Sequence, residues 1–295
     1  MSRVGSLAAT ALLLALATGP AAADCSQIDG DIKAALAAGA VDRYDSLHEA
    51  MVAEPSCDAA YRDQVGRAMA RSALTQLSSD SGPDEIKAAI RFGRPWQVLV
   101  ALGDAYFAQK DWENTVKTYE EALDDMRDKV ANPKAPPEDV ERRAYKRAIE
   151  ARALAPTFVA TRQFRGKKTG LADPNFRNFS VEAVPVPVRF ETDSDQLTAD
   201  GTAAVEDIFA YLQNAAPKHV TIIGHTDPRG EDAYNIDLSQ RRAESVKAHL
   251  AQLGYGGEIE VVAKGESEQF SPDDPKKYTE DELFAFDRRV EYKTE

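Results

Sequence analysis

Two patterns of hydrophobic spacing follow one another along this chain of 295 residues. Up to about residue 154, apolar residues recur at the three- and four-residue intervals of amphipathic helices, as in the stripe Leu99, Leu102, Ala105 and Tyr106. From Val184 onward, short alternating segments are interleaved with helical ones. The chain therefore predicts an all-helical part followed by a part with strands and helices.

The first part predicts helices around residues 32–38, 44–53, 59–77, 85–92, 96–108 and 138–154. One more helix is predicted after Asp111, which has the short acidic side chain of an N-cap. The second part predicts strands near 184–190, 220–224, 259–263 and 289–292. It also predicts a helix over 199–213, a long helix that ends near 253, and a short helix over 279–286. The order is βαβαββ, with the short helix before the last strand. It predicts an α+β fold with helices on one face of a mixed sheet.

Residues 155–183 separate the two parts and are rich in Lys, Arg and Gly. We interpret them as a solvated linker between a helical domain at 24–154 and a mixed domain at 184–295. Residues 1–23 have the pattern of a cleaved signal peptide: Arg3, an apolar run over 8–17 and Ala21 to Ala23 before the cleavage point. An uncleaved anchor is the alternative.

Export would place the chain in the periplasm, an oxidising compartment. The two cysteines, Cys25 and Cys57, are then expected to form a disulfide, with two free thiols as the alternative. The formal net charge of −13 argues against nucleic acid as a partner. We find no nucleophile motif and no metal-ligand spacing, so neither catalysis nor a cofactor nor a metal is expected.

One carboxylate and one guanidinium stand out in the second part. Asp227 follows a predicted strand, and Asn235, Leu238 and Arg242 are spaced i, i+3, i+7, which places them on one helix face. The turn at 228–230 can bring that face over the strand end. Such a pair suits a zwitterion, because the carboxylate takes an ammonium and the guanidinium takes a carboxylate. A surface ion pair between Asp227 and Arg242 is the alternative.

The segment Gly224-His-Thr-Asp227, with Asn235, Leu238-Ser239 and Arg242-Ala243, resembles the core motif of the OmpA-like family (OmpA C-terminal and Pal type). The resemblance extends from Phe190 to Val290. It implies non-covalent binding of peptidoglycan through the diaminopimelate of its stem peptide.

The resemblance also implies roles for single residues. Asp227 would hold the ammonium of diaminopimelate and Arg242 its carboxylate. Asn235 and the backbone near Thr192 and Asp193 would line the pocket, and Arg289 would close it. This chain has Asp287 where the family usually has Asn, so Asp287 can pair with a neighbouring arginine and weaken the part of Arg289. Arg288 and a buried, hydrogen-bonded His225 are expected to be structural.

The helical part is similar to a tetratricopeptide repeat at Gly103, Tyr106, Tyr119 and Ala122, although Thr115 replaces the usual alanine. An ordinary antiparallel bundle is the alternative. The leading hypothesis is a non-enzymatic wall-binding protein whose helices dock another envelope protein, with outer-membrane association left open. The alternatives are a wall hydrolase that uses the OmpA-like domain for targeting, and a scaffold that does not bind the wall.

Overall fold

The computed structural model describes residues 24–164 and 166–295. The predicted signal peptide and Arg165 lie outside the described residues. The chain divides into two compact units, one ending at Arg62 and the other starting at Asp63. The domain boundaries predicted near 154 and 184 stay predictions. No helix in the described ranges is both long enough and apolar enough to cross a membrane.

The first unit is a helical hairpin closed by a disulfide. It contains α1 (Cys25–Ala38), a 3₁₀ turn (Val41–Arg43), α2 (Tyr44–Ala53) and the start of α3 (Ala59–Thr75). Asp24 caps α1 by accepting a hydrogen bond from the backbone N–H of Gln27. The disulfide joins Cys25 to Cys57, which confirms the predicted pairing.

The helices predicted for the rest of the first part are confirmed. After α3 come α4 (Pro83–Ile90), α5 (Trp96–Ala108), α6 (Trp112–Arg127) and α7 (Glu138–Leu154), and Asp111 caps α6 as predicted. Helices α5 and α6 approach closely at Gly103, where a Cβ atom would lie 2.7 Å from the ring of Tyr119. A descent from tetratricopeptide repeats stays a prediction.

Residues 155–183 are not the solvated segment that their composition suggested. They contain a short hairpin of β1 (Gln163–Phe164) and β2 (Lys167–Lys168), and Leu171 is fully buried. The backbone N–H groups of Arg162 and Leu171 donate to the buried carboxylate of Glu120. The prediction of solvation is wrong because buried carboxylates on α6 bind this polar backbone.

The last part is a four-stranded sheet with helices, which confirms the predicted α+β class. Its elements are β3 (Val184–Val186), α8 (Ala199–Ala215), β4 (His219–His225), α9 (Asp232–Gln252), β5 (Glu258–Gly265), α10 (Glu280–Asp287) and β6 (Val290–Thr294). The strand order is β3-β6-β4-β5, with β4 and β5 parallel and the other neighbours antiparallel. Its core is formed by apolar residues of the strands, α8 and α9, including Val205, Ile208, Ile222, Val246 and Tyr292.

Candidate functional site

Strand β4 and helix α9 form the base of the candidate site. They pack without a side chain between them at Gly224, where a Cβ atom would lie 2.2 Å from the carbonyl oxygen of Ser239. The Ser239 hydroxyl accepts a hydrogen bond of 3.0 Å from the backbone N–H of Gly265. These contacts fix α9 against β4 and β5, and therefore fix where the side chains of α9 lie relative to Asp227.

A pocket of about 420 Å³ opens at this end of the sheet. The predicted residues Asp227, Asn235, Arg242, Thr192 and Asp193 all line it. The other lining residues include Phe190, Arg229, Tyr234 and Arg288. The sequence spacing of Asp227, Asn235 and Arg242, and the family resemblance for Thr192 and Asp193, therefore located the residues that meet here. Their ligand roles stay predictions.

The carboxylate of Asp227 is held by two arginines. Arg229 donates to its two oxygens at 3.0 and 2.6 Å, and Arg288 donates at 2.8 Å. Burial raises the pKa of the Asp227 carboxyl, but the hydrogen bonds from Arg229 and Arg288 outweigh this effect and lower the pKa to about 2. Asp227 is therefore ionised at any physiological pH.

Arg242 faces the same pocket from α9, and its terminal N–H groups make no hydrogen bond with the described residues. Its Nε donates to the carbonyl oxygen of Ser194 at 3.1 Å, and its guanidinium lies 5.0 Å from the ring centroid of Phe190. Among residues 24–164 and 166–295 it has no ion pair within 4.0 Å, and burial lowers its pKa. The alternative of a direct ion pair between Asp227 and Arg242 is not seen in these ranges, where Asp227 pairs with Arg229 and Arg288.

Asn235 holds the turn rather than offering a free amide. Its Nδ2 donates to the carbonyl oxygens of Asp227 and Arg229 at 3.4 and 3.2 Å, and to the carboxylate of Glu266. On the opposite wall, Asp193 has a φ of 51° in the left-handed region, so the loop after Phe190 turns sharply there. Thr192 and Asp193 are exposed.

The two adjacent arginines exchange the positions expected from the sequence. Arg288 reaches Asp227, whereas Arg289 does not line this pocket and is buried. Arg289 donates to Glu291 at 2.7 Å and to the carbonyl oxygen of Glu268 at 3.2 Å. The chain passes from α10 into β6 here, and neighbouring side chains of an extended backbone point to opposite sides. Arg289 was expected to close the pocket, but it is Arg288 that lies at the edge of the pocket beside Asp227.

Asp287 lies in the buried polar cluster beside Arg289. Its carboxylate accepts a hydrogen bond of 2.7 Å from the backbone N–H of Phe270 and lies 3.9 Å from the guanidinium of Arg289. His225 is buried as predicted, but its ring nitrogens make no hydrogen bond with the described residues. Its Nε2 lies 3.7 Å from the carboxylate of Glu291.

Comparison with known proteins identifies this part of the chain. Residues 189–281 match the model of the OmpA family. They form an OmpA-family domain.

Two curated relatives show how far the similarity extends. Outer membrane protein A of Shimwellia blattae is 39% identical over 83 residues, which are 27% of this chain and 34% of that protein. Outer membrane porin F of Pseudomonas aeruginosa is 34% identical over 89 residues, 30% of this chain and 25% of that protein. The chain thus spans about a third or less of these relatives. A crystal structure of the peptidoglycan-associated lipoprotein from Burkholderia pseudomallei aligns with 38% of this chain and 89% of that chain, at 29% identity and a TM-score of 0.32.

Proposed function

We propose that this protein binds peptidoglycan non-covalently through the diaminopimelate of the stem peptide and catalyses no reaction. OmpA-family domains are peptidoglycan-binding domains of envelope proteins. The observation that carries the proposal is that Arg242 lines the same pocket as the ionised Asp227, with terminal N–H groups that have no partner in the part of the chain that the structure describes.

The pocket chemistry matches a zwitterion. The planar guanidinium of Arg242 takes the ligand carboxylate through two parallel hydrogen bonds, and Asp227 takes the ammonium. Each charge-assisted hydrogen bond contributes roughly 1.5–3 kcal/mol net. After desolvation and ordering, the affinity for one site is on the order of micromolar to millimolar. The many repeats of a cell-wall polymer then add avidity.

Sedimentation of the purified mature protein with isolated peptidoglycan sacculi tests this proposal. Wild type is expected in the pellet. Arg242→Lys keeps the charge but loses the planar fork, and it is expected to weaken binding about tenfold. Arg241→Lys is the matched control, because Arg241 is the neighbour on α9 and pairs with Asp237 at 2.9 Å.

Two results would contradict wall binding at this pocket: wild type that stays in the supernatant, or Arg242→Lys that sediments like wild type. Release of soluble muropeptides from the sacculi during incubation would instead favour the hydrolase alternative. Wild type in the supernatant with intact sacculi would favour the scaffold alternative.

We further infer that the mature protein starts at Asp24 in the periplasm and that the helical part contacts another envelope protein. The disulfide between Cys25 and Cys57 supports an oxidising compartment. Mass spectrometry of the exported protein tests the start at Asp24. Fractionation of cells that produce Arg242→Ala tests the helical contact. Retention in the envelope fraction supports it, and release with the soluble periplasmic proteins contradicts it.

A further inference from the structure

A second cavity of about 500 Å³ adjoins the pocket that contains Asp227. One wall comes from Ala153 and Leu154 at the end of α7, and another from Pro187 and Val188 after β3. Ala285 of α10 adds a third apolar surface. Cavities of about 300–1,000 Å³ are typical of small-ligand sites, so this space is large enough for part of a peptide.

The two cavities meet at three side chains. Phe190, Arg242 and Arg288 line both of them. Arg242 stacks on Phe190, and Arg288 reaches Asp227, so these residues are fixed at the junction. A ligand whose carboxylate is bound by Arg242 therefore has its next atoms at the entrance of the second cavity.

We propose that the second cavity is a subsite for the stem-peptide residues next to the diaminopimelate. This inference rests on the proposed function, and it extends the bound ligand from one residue to a short peptide. The diaminopimelate end stays in the pocket of Asp227, and the neighbouring small residues lie against the wall made by α7.

Charged side chains surround the apolar walls of the second cavity. Arg189 is engaged by Asp200 at 2.6 Å and by the carbonyl oxygen of Pro156 at 2.6 Å. Glu282 accepts hydrogen bonds from Lys110 and from the backbone N–H of Thr279. Asp281, Arg242, Arg288 and Arg289 also line the cavity. Arginines therefore outnumber carboxylates there, and beside the apolar walls this surface suits peptide residues with small side chains and a free carboxylate.

Part of the wall of this subsite lies outside the residues that match the family. Ala153 and Leu154 lie outside residues 189–281, which match the OmpA family. Helix α7 is held to α8 by the buried ion pair of Arg152 with Asp207 at 3.0 Å. It is also held to α10 by contacts between the two helices. The helical part therefore supplies a fixed surface for ligand selection.

Calorimetric titration with two ligands tests the subsite: free diaminopimelate, and a soluble stem tetrapeptide that contains it. Wild type is expected to bind the tetrapeptide about tenfold more tightly. Ala153→Tyr fills the cavity and is expected to reduce tetrapeptide affinity to that of diaminopimelate, without changing diaminopimelate affinity. Leu154→Tyr serves as a second variant if the first does not fold. Ala215→Tyr, at an exposed helix end away from both cavities, is the control.

The outcomes separate the two proposals. If wild type binds neither ligand, the proposed function fails. If wild type binds both ligands equally, or if the filled variants keep the full tetrapeptide affinity, the subsite is wrong and the diaminopimelate pocket stands. The subsite is also wrong if a folded filled variant loses diaminopimelate affinity to the same extent, because the cavity would then only support the first pocket.

Discussion

Arg229 donates from Nε and Nη2 to the two carboxylate oxygens of Asp227, at 3.0 and 2.6 Å, from a position only two residues later in the chain. The Arg229 side chain is 60% exposed, whereas the Asp227 side chain is 10% exposed. Arg229 therefore covers the outer side of the carboxylate, where a ligand ammonium would bind. In the proposed complex, the ligand ammonium and the Arg229 guanidinium would compete for the same two oxygens.

This competition predicts that Arg229→Gln strengthens binding of diaminopimelate. Removing the guanidinium frees the carboxylate, while Arg288 still holds Asp227 in place at 2.8 Å. We expect a gain of about threefold to tenfold, equivalent to about 0.6–1.4 kcal/mol, measured by calorimetric titration. Arg241→Gln is the control, because Arg241 forms an exposed i, i+4 pair with Asp237 and does not line the pocket. Weaker binding by Arg229→Gln would mean that Arg229 contacts the ligand itself.

The buried pair of Arg152 and Asp207 predicts a large loss of stability on truncation. The two side chains are 1% and 3% exposed, and Asp207 also accepts from the backbone N–H and hydroxyl of Thr161. Arg152→Met removes the Arg152 cation from the buried carboxylate of Asp207, and we expect a loss of about 3–5 kcal/mol in urea unfolding.

Arg142→Met on the same helix is the matched control for that measurement. Arg142 pairs with Glu138 at 2.6 Å, but both side chains are about half exposed. We expect a loss of less than about 1 kcal/mol. Equal losses for the two variants would show that burial does not set the contribution of Arg152.

Because Glu120 is buried, we expect the free energy of unfolding to fall as the pH rises. Burial raises the pKa of its carboxyl to about 7, against the opposing effects of Arg152 and of the backbone N–H groups of Leu171 and Arg162. Between about pH 4.5 and 7 the folded state keeps a proton that the unfolded state has lost, so the free energy of unfolding decreases by up to about 1.4 kcal/mol per pH unit.

Glu120→Gln isolates this contribution. Gln does not titrate. The free energy of unfolding of wild type should therefore decrease steadily relative to that of Glu120→Gln from pH 4.5 to 7. Glu113→Gln, on the exposed side of α6, should show no such trend. A difference that stays constant over this range would mean that Glu120 is ionised when buried.

The disulfide predicts a local loss of stability on reduction. Cys25 and Cys57 are 32 residues apart in the chain, and closing a loop of this size stabilises the fold by roughly 3.7 kcal/mol in the chain-entropy model. Cys25→Ala with Cys57→Ala should speed amide hydrogen exchange in α1 and α2. Exchange in β4 serves as the internal reference. Unchanged exchange in α1 would show that its packing alone holds the first unit.

The periodic elements could be predicted because local spacing determines them. The face of α9 that carries Asn235 and Arg242 follows from their separation by seven residues, and Asp111 is a local cap. The exchange of Arg288 and Arg289 could not be predicted in this way. Which of two adjacent side chains faces the pocket depends on where α10 ends and β6 begins, and a shift of one residue reverses the answer.

The burial of residues 155–183 also depends on contacts that are distant in sequence. Glu120 and Asp207 accept backbone hydrogen bonds from this segment from positions more than forty residues away. A sequence pattern shows that a stretch is polar, but it does not show which distant carboxylates bind its backbone. The pairing of Asp227 with Arg288 was missed for the same reason, since Arg288 follows it by 61 residues.

Strand β6 lies between β3 and β4, although it is the last strand in the chain. It is therefore the last part of the sheet to leave a ribosome, and residues 189–281, which match the family, do not include it. A gene fragment cut at those limits would encode the binding residues of α9 but not β6, the strand that pairs with both β3 and β4. Translation to the C-terminal residues of this chain is thus a condition for folding of the pocket, and late stop codons should abolish wall binding as fully as the loss of Arg242.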